Sequence, residues 1–307
     1  MSVDRPGTIL ERLWTPFRNQ SGLRRSLLLM SPLIIFELLV FVAPFIILIR
    51  ISLSEQSQGI PYAEGTFSIA SYIEVIRSEL LQGIIIYSFQ LGVIATVITV
   101  TLAVFYAYAA WRASGLLKSA LLFSVILPLL TTLVIKTYTW IPLLAPNGTL
   151  NNLLLAVQLL QSPVQLAPNT IGVIVGQVYI IFPYAMLSVY SVLSSVKWEL
   201  VEAARDLGAG RVRSFFEVVL PDIMPGITVA TVISFAWSVG AYSAPALLGA
   251  GSDRTFALEV QEQMLINFNW PIATALSTIM LVLMLVSILF IYVTLGRIGG
   301  NLQNVSQ

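Results

Sequence analysis

Long apolar runs separated by short polar segments dominate the sequence. A helix needs about 20 mostly apolar residues to cross a hydrocarbon layer of roughly 30 Å, and six runs reach that length. The predicted spans are approximately 27–53, 84–110, 117–144, 170–193, 227–248 and 271–295. The runs are continuous in Leu, Ile, Val and Ala, without the alternation that marks the strands of a membrane β-barrel. The pattern therefore predicts an all-α, polytopic membrane helix bundle with six transmembrane helices.

Composition supports this fold class and excludes several functions. Of 307 residues, 57% are hydrophobic and 10% are charged, whereas a soluble domain has roughly 25% charged residues. The net charge of +1 gives no basic surface for nucleic acid. The chain has no Cys and no His, so disulfides, thiol chemistry and the commonest metal ligand are excluded. We expect a protein in contact with membrane lipid that binds neither nucleic acid nor metal.

The positions of Lys and Arg predict the orientation, because positive residues close to span ends remain cytoplasmic. They lie in the N-terminal tail, the second and fourth loops and the C-terminal tail, whereas the alternate loops hold only Arg77 and Arg254. Both termini are therefore predicted to be cytoplasmic. The first span exceeds the roughly 7–15 apolar residues of a signal peptide and is expected to be retained. The predicted organisation is an N-terminal tail 1–25, a membrane domain 26–296 and a C-terminal tail 297–307.

The fourth loop is long for a hydrophobic bundle and reads KWELVEAARDLGAGRVRSFFEVVLPDIMPG over 197–226. Its first part predicts a short helix over 198–207 that stops at Gly208 and Gly210. A second helical turn or two over 211–219 is expected to end at Leu220, Pro221 and later Pro225, because proline lacks the amide hydrogen that continues a helix. A short helix of this kind can insert into a groove on another protein. The alternative is an amphipathic loop helix that lies against the lipid headgroups.

The spacing in this loop points to a family. The loop reads EAA, three residues, Gly, nine residues, Val, one residue, Leu, Pro. It resembles the cytoplasmic signature loop of the membrane subunits of binding-protein-dependent ABC importers, with Val218 in place of the usual Ile. The stretches 127–151, 240–249 and 267–276 are similar to the permeases of the spermidine and putrescine branch. Permeases for iron, opines and phosphonates share much of this pattern, so they remain alternatives.

The resemblance implies a type I ABC importer permease fold in a prokaryotic inner membrane. It also implies three partners: a cytoplasmic ATPase dimer, a second permease subunit that forms a heterodimer, and an extracytoplasmic solute-binding protein. The residues that would couple the chain to the ATPase are Glu202, Ala203, Ala204, Gly208, Val218, Leu220 and Pro221. The sequence has no G-x-x-x-x-G-K-[ST] phosphate loop. ATP and Mg are therefore expected on the partner ATPase, and this chain is expected to be non-catalytic and to bind no cofactor.

Several residues within the predicted spans are candidates for a solute pathway. Two of them, Glu37 and Lys136, are ionisable. An ionisable side chain at a helix centre costs about 2.5–3.5 kcal/mol on insertion scales, so other interactions must offset this cost. The candidates are Glu37, Lys136, Tyr138, Trp140, Tyr184, Trp237 and Tyr242. Lys136 has an alternative role as a snorkelling or interhelical charge, and Glu37 as its ion-pair partner or as a protonated group in a helix interface. The aromatic side chains have alternative roles in the core or in the interfacial belt.

Two further predictions concern packing and surface. Gly172 and Gly176 form a G-x-x-x-G pair that permits close approach of a neighbouring helix. The external stretch 54–82 predicts a surface helix, which either faces the binding protein or is a solvated loop helix without a partner.

One alternative function is that of a carrier or channel that works alone. Such a protein would show inverted repeats or several buried ionisable groups. Another alternative function is that of a membrane enzyme. The lack of His, Cys and clustered carboxylates in the spans argues against it.

Overall fold

The computed structural model describes residues 22–57 and 60–305, and its described part is helical. Residues 1–21 of the predicted N-terminal tail and Gly59 of the external stretch lie outside the described residues. No β-strand occurs in the described ranges, which contain a single isolated antiparallel bridge between Glu55 and Ala63. The all-α prediction is confirmed. The α-helices are α1 Gly22–Glu37, α2 Ala43–Ser52, α3 Ala70–Arg77, α4 Glu79–Arg112, α5 Gly115–Ile126, α6 Leu133–Tyr138, α7 Trp140–Leu144, α8 Thr149–Ala156, α9 Thr170–Leu193, α10 Trp198–Asp206, α11 Arg211–Ser214, α12 Leu220–Val239, α13 Ser243–Leu248, α14 Phe256–Leu265 and α15 Trp270–Val305.

Five continuous helical segments in the described residues are long and apolar enough to cross a membrane. They are Leu29–Ser52, Glu79–Arg112, Thr170–Leu193, Arg211–Val239 and Trp270–Gly300. A further pair, Gly115–Leu130 and Leu133–Ala156, passes the same test together but is bent by 112°. The number of candidate spans is therefore five, or six if the bent pair is one span. The C-terminal helix continues to Val305, through most of the predicted tail 297–307.

The third predicted span, 117–144, is not one continuous helix. A 3-10 turn at Leu127–Leu130, which contains Pro128, follows α5. Thr131 then adopts an extended backbone, and the Thr132 hydroxyl accepts a hydrogen bond from the Ile135 N–H (3.4 Å) at the start of α6. The apolar run predicted a span here but not its break, because hydropathy averaged over a window does not register a proline turn followed by a new helix cap.

The fifth span begins and ends earlier than the predicted 227–248. The prediction that the preceding helix ends at Leu220, Pro221 and Pro225 is wrong, because helical backbone is continuous over Arg211–Val239. A π-helical segment, Phe215–Val219, precedes α12, and Pro221 is the second residue of α12. A local π-helical adjustment of this kind lets a spanning helix accommodate a proline. Spanning helices tolerate an internal proline such as Pro225 because neighbouring groups satisfy the freed backbone. The helix stops at Gly240, and α13 follows as a separate element.

Helices α4, α9 and α12 pack against one another and form the centre of the bundle. Small residues of α4 allow this close approach: Ala95, Ala103, Ala107 and Ala110 are fully buried. Helix α15 packs on α12, and α2 packs on α15. By contrast, the apolar window of the segment Leu29–Ser52 has no buried residue. The first span is therefore held at the periphery of its own chain.

Gly172 and Gly176 lie where α9 meets α13. A Cβ at Gly172 would lie 2.8 Å from the Leu166 carbonyl oxygen, and one at Gly176 would lie 2.6 Å from Cδ1 of Leu248. The predicted packing role of this pair is confirmed. The predicted surface helix is present as α3, which buries Ser71 and Val75 and exposes most of its other residues.

Candidate coupling helix and solute pathway

Helix α10 is anchored to the bundle along one face. Val201 is fully buried in a cluster to which α4, α9, α10 and α12 all contribute. Leu200 and Leu207, at other positions of the loop, are 50% and 90% exposed. The helix is thus held in place while Leu200, Glu202 and Ala203 remain exposed.

Trp198 organises the beginning of α10. Its ring meets the ring of Trp111 edge to face at 5.2 Å. The guanidinium groups of Arg112 and Arg205 lie 5.1 and 5.2 Å from the centroid of the same indole, within the range of cation–π attraction. The indole N–H donates a hydrogen bond to Oε1 of Glu202 (2.7 Å). Trp198 therefore fixes the orientation of the Glu202 carboxylate.

The end of α10 is a tight turn that requires glycine. Gly208 has a φ of +91°, in the left-handed region that side chains rarely adopt. The Ala209 N–H donates to the Ala204 carbonyl (3.0 Å) and the Gly208 N–H to the Arg205 carbonyl (2.9 Å), which is the Schellman arrangement. A Cβ at Gly208 would meet nothing within 4 Å. The requirement for glycine is therefore conformational and not steric.

The residues of the signature pattern fall into two groups. Glu202, Ala203 and Gly208 are exposed, and Ala204 is half-buried. Val218 and Leu220 are half-buried against the central cluster, and Pro221 is buried. The first group forms a surface, whereas the second group packs the start of α12 into the bundle.

Three of the predicted pathway residues lie together near the break between α12 and α13. The rings of Tyr184 and Trp237 stack at 5.7 Å with an interplanar angle of 20°. Trp237 and Tyr242 line a cavity of about 150 Å³. Both side chains are more than 40% exposed and form the rim of the cavity. The other lining residues are Leu133, Gln177, Ile180, Ile181, Gly240, Ala241, Ser243 and Ala244.

The other predicted pathway residues are dispersed. Lys136 lies on α6, one turn beyond Leu133, and is 6% exposed. Tyr138 is more than half exposed on the same helix. The ring of Trp140 packs edge to face on that of Tyr179, with the two ring centroids 5.4 Å apart. Trp140 also borders a separate apolar groove of about 730 Å³ between α4 and α9.

Glu37 is exposed on the peripheral helix α1. The ion pairs found across the described ranges are Arg213–Glu217, Arg254–Glu259 and Arg254–Glu262. A Glu37–Lys136 pair is not among them. The structure therefore does not support that alternative for either residue.

A polar cluster that the sequence did not reveal lies at the opposite end of the bundle from α10. Asp253 is 3% exposed. It accepts hydrogen bonds from the Tyr87 hydroxyl (2.7 Å), the Ala250 N–H (2.7 Å) and the Thr170 hydroxyl. These bonds attach the loop after α13 to α4 and α9.

The neighbouring Arg254 joins the same loop to α14. It forms ion pairs with the buried Glu259 (2.6 Å) and with Glu262. The hydrogen bond to Glu262, together with the negative charges of Glu259 and Glu262, raises the pKa of the Arg254 guanidinium above its ordinary value, against the opposing effect of burial. No group of three or more Asp, Glu, His or Cys side chains that could hold a metal ion occurs in the part of the chain that the structure describes.

Comparison with known proteins places this geometry in context. Residues 100–298 match the family described as "Binding-protein-dependent transport system inner membrane component". The chain is 30% identical over 261 residues to the spermidine/putrescine transport system permease protein PotB of Haemophilus influenzae, which covers 84% of this chain and 90% of that protein. PotB of Escherichia coli K12 is 26% identical over 223 residues, with 73% and 81% covered.

Solved structures agree in fold. The chain superimposes with a TM-score of 0.73 and 20% identity on a chain of a bacterial ABC transporter involved in the import of the acidic polysaccharide alginate. The match covers 94% of this chain and 99% of that chain. The family match covers more than half of the sequence, and the apolar helices fit a multi-pass protein of the inner membrane. This chain belongs to the inner-membrane components of binding-protein-dependent transport systems, the permeases of ABC importers.

Proposed function

We propose that this permease carries polyamines across the inner membrane and is driven by a cytoplasmic ATPase dimer that engages α10. In this proposal the chain pairs with a second, non-identical permease subunit and receives solute from an extracytoplasmic binding protein. Both of its termini are cytoplasmic. The chain itself is non-catalytic, and ATP and Mg bind to the ATPase.

The observation that carries the coupling role is the arrangement of α10. The helix is anchored through the buried Val201, exposes Glu202 and Ala203, and ends in the rigid Gly208 turn. A groove of about 420 Å³ beside it is lined by Trp111, Arg112, Val196 and Trp198. A small, charged and firmly held helix of this kind suits insertion into a cleft of another protein. Force applied to α10 would reach α4, α9 and α12 through their shared cluster.

The polyamine assignment is supported by the relatives and by the aromatic cluster. Both PotB proteins are named as permeases of spermidine/putrescine systems. The faces of Tyr184, Trp237 and Tyr242 can attract cationic groups. Among the alternatives from the sequence, phosphonates are anions and would gain nothing from these aromatic faces.

The partner assignment has separate support. One similar solved structure, with a TM-score of 0.74, is an alginate ABC transporter in complex with a ligand-bound periplasmic protein. By analogy, the end of this chain that carries α3 and the Asp253 cluster would receive the binding protein. The absence of a phosphate loop from the sequence supports ATP binding on a partner.

The Gly208 turn provides a test with a matched control. Gly208→Val forces a β-branched residue into the left-handed region, which costs roughly 1–2 kcal/mol or more even for unbranched residues. Gly210→Val is the control, because Gly210 is equally uncrowded and has an ordinary φ of −67°. We expect Gly208→Val to abolish ATP-driven putrescine uptake by the reconstituted complex while ATP hydrolysis loses its dependence on the loaded binding protein. Gly210→Val should transport at close to the wild-type rate.

A second substitution tests the exposed face directly. Ala203→Trp places a large side chain on the surface that would enter the ATPase and should also abolish uptake, with normal membrane insertion measured by membrane fractionation. Wild-type uptake by both Gly208→Val and Ala203→Trp would contradict the coupling role. Putrescine accumulation by vesicles that contain this chain without the ATPase or ATP would instead indicate a carrier that works alone.

A further inference from the structure

Gln177 is a buried polar side chain without a partner. It lies on α9, is 1% exposed, and neither its Nε2 nor its Oε1 has a hydrogen-bond partner. A buried carboxamide that makes no hydrogen bond is costly, and such groups are rare in native proteins unless water, an ion or a ligand completes them. The amide therefore needs a partner that the chain itself does not supply.

The side chain lines the cavity at the break between α12 and α13. The cavity measures about 150 Å³, and Trp237 and Tyr242 form its exposed rim. One water occupies roughly 30 Å³ of liquid volume, so the cavity has room for roughly five waters. That space fits one end of a short, flexible solute and not a whole oligoamine.

Three features of the cavity favour a cationic group. The Gln177 Oε1 is a free acceptor, and the faces of Trp237 and Tyr242 attract cations. The third feature is the C-terminal end of α12, a helix of 20 residues. This end is capped by Gly240, which lines the cavity, and it carries a partial negative charge. A primary ammonium group offers three N–H donors and would satisfy the oxygen of Gln177.

Two features would keep such binding weak. No acidic side chain lines the cavity. Lys136 lies one helical turn beyond the lining residue Leu133 and forms no ion pair with any described residue. Its positive charge opposes retention of a second cation. Weak binding suits a site that a solute must leave during each transport cycle.

We infer that Gln177 is a specificity-determining contact that accepts a hydrogen bond from a terminal ammonium group of the solute in transit. This inference rests on the proposed function, because it takes the solute to be a polyamine. Trp237 and Tyr242 enclose the methylene groups next to that ammonium.

The test measures equilibrium binding of radiolabelled putrescine to the purified permease–ATPase complex without the binding protein. Gln177→Met keeps the length of the side chain and removes the amide, so we expect at least tenfold weaker binding. Gln177→Glu supplies a charged acceptor and should bind more tightly than the wild type. Thr99→Val is the matched control, because the Thr99 hydroxyl is also buried and unpartnered but does not line the cavity. It should leave the affinity unchanged.

Unchanged affinity in Gln177→Met would overturn the inference, as would the absence of saturable binding in the wild type. If Gln177→Met fails to copurify with the ATPase, the putrescine affinity of Gln177→Glu becomes the test. An affinity of Gln177→Glu no higher than that of the wild type then overturns the inference. Putrescine uptake by the complete wild-type system is measured in parallel. If the wild-type system takes up putrescine and Gln177→Met binds it with unchanged affinity, the inference about Gln177 fails and the proposed function stands. If the wild-type system takes up no polyamine, the proposed solute is wrong.

Discussion

The Asp253 carboxylate shows how single side chains hold distant segments together. It is almost fully buried, and Tyr87, which donates one of its hydrogen bonds, lies 166 positions earlier in the chain. Hydrogen bonds to charged groups contribute about 1.5–3 kcal/mol. We expect Tyr87→Phe to lower the thermal unfolding midpoint of the detergent-solubilised protein. Tyr292→Phe is the control, because the Tyr292 side chain is 62% exposed. Equal midpoints for the two variants would show that the Tyr87–Asp253 hydrogen bond adds no stability.

The sequence predicted some residues of the candidate sites and missed others for a physical reason. The Glu202, Ala203 and Gly208 spacing is local, so the helix and its terminal turn could be predicted from the chain itself. Gln177 and Asp253 gain their significance from the elements that surround them, and no local pattern records those neighbours. Trp198 was missed as well, because its contacts with Trp111 and Arg112 form only when α10 lies beside the end of α4.

At the scale of elements, the contact between α9 and α13 depends on small residues. A methyl group at Gly172 would lie 2.8 Å from the Leu166 carbonyl oxygen and 3.2 Å from that of Leu248, and neither backbone atom moves easily. We expect Gly172→Ala to lower the unfolding midpoint. Gly83→Ala is the matched control in α4, where a Cβ meets nothing within 4 Å. That control should raise stability by about 0.5–1 kcal/mol, because alanine favours a helix over glycine. A more stable Gly172→Ala protein would contradict the packing account.

Element boundaries were the least predictable part of the fold. Apolar runs gave the existence and class of the spanning helices, because lipid requires long apolar helices whatever their tertiary contacts. The runs did not give the break at Thr131 and Thr132 or the continuation of α12 through Pro221. In each case a proline was present, and its effect depended on whether a π-helical segment or a new helix cap stood beside it. The proline alone does not distinguish these outcomes.

At the scale of the whole molecule, the charge distribution predicts the orientation. We expect a fluorescent reporter fused after Gln307 to be active, and alkaline phosphatase at the same position to be inactive, because the charge distribution predicts a cytoplasmic C-terminus. The same reporters inserted at Gly65, in the stretch before α3, should give the opposite result. Gly65 lies in an exposed turn, the kind of site where insertions are commonly tolerated. Phosphatase activity at Gln307 would invert the topology and place α10 outside the cytoplasm.

The continuous helical segment Arg211–Val239 links the turn after α10 with the aromatic cavity. With 29 residues it is roughly 43 Å long at about 1.5 Å per residue. One end follows the Gly208 turn, and the other carries Trp237 and stops at the cavity wall. A tilt of roughly 5° about the first end would move the second by roughly 4 Å, given that length. If the segment moves as one body, it widens or narrows the mouth of the cavity directly, without any relay of rotamer changes along its path.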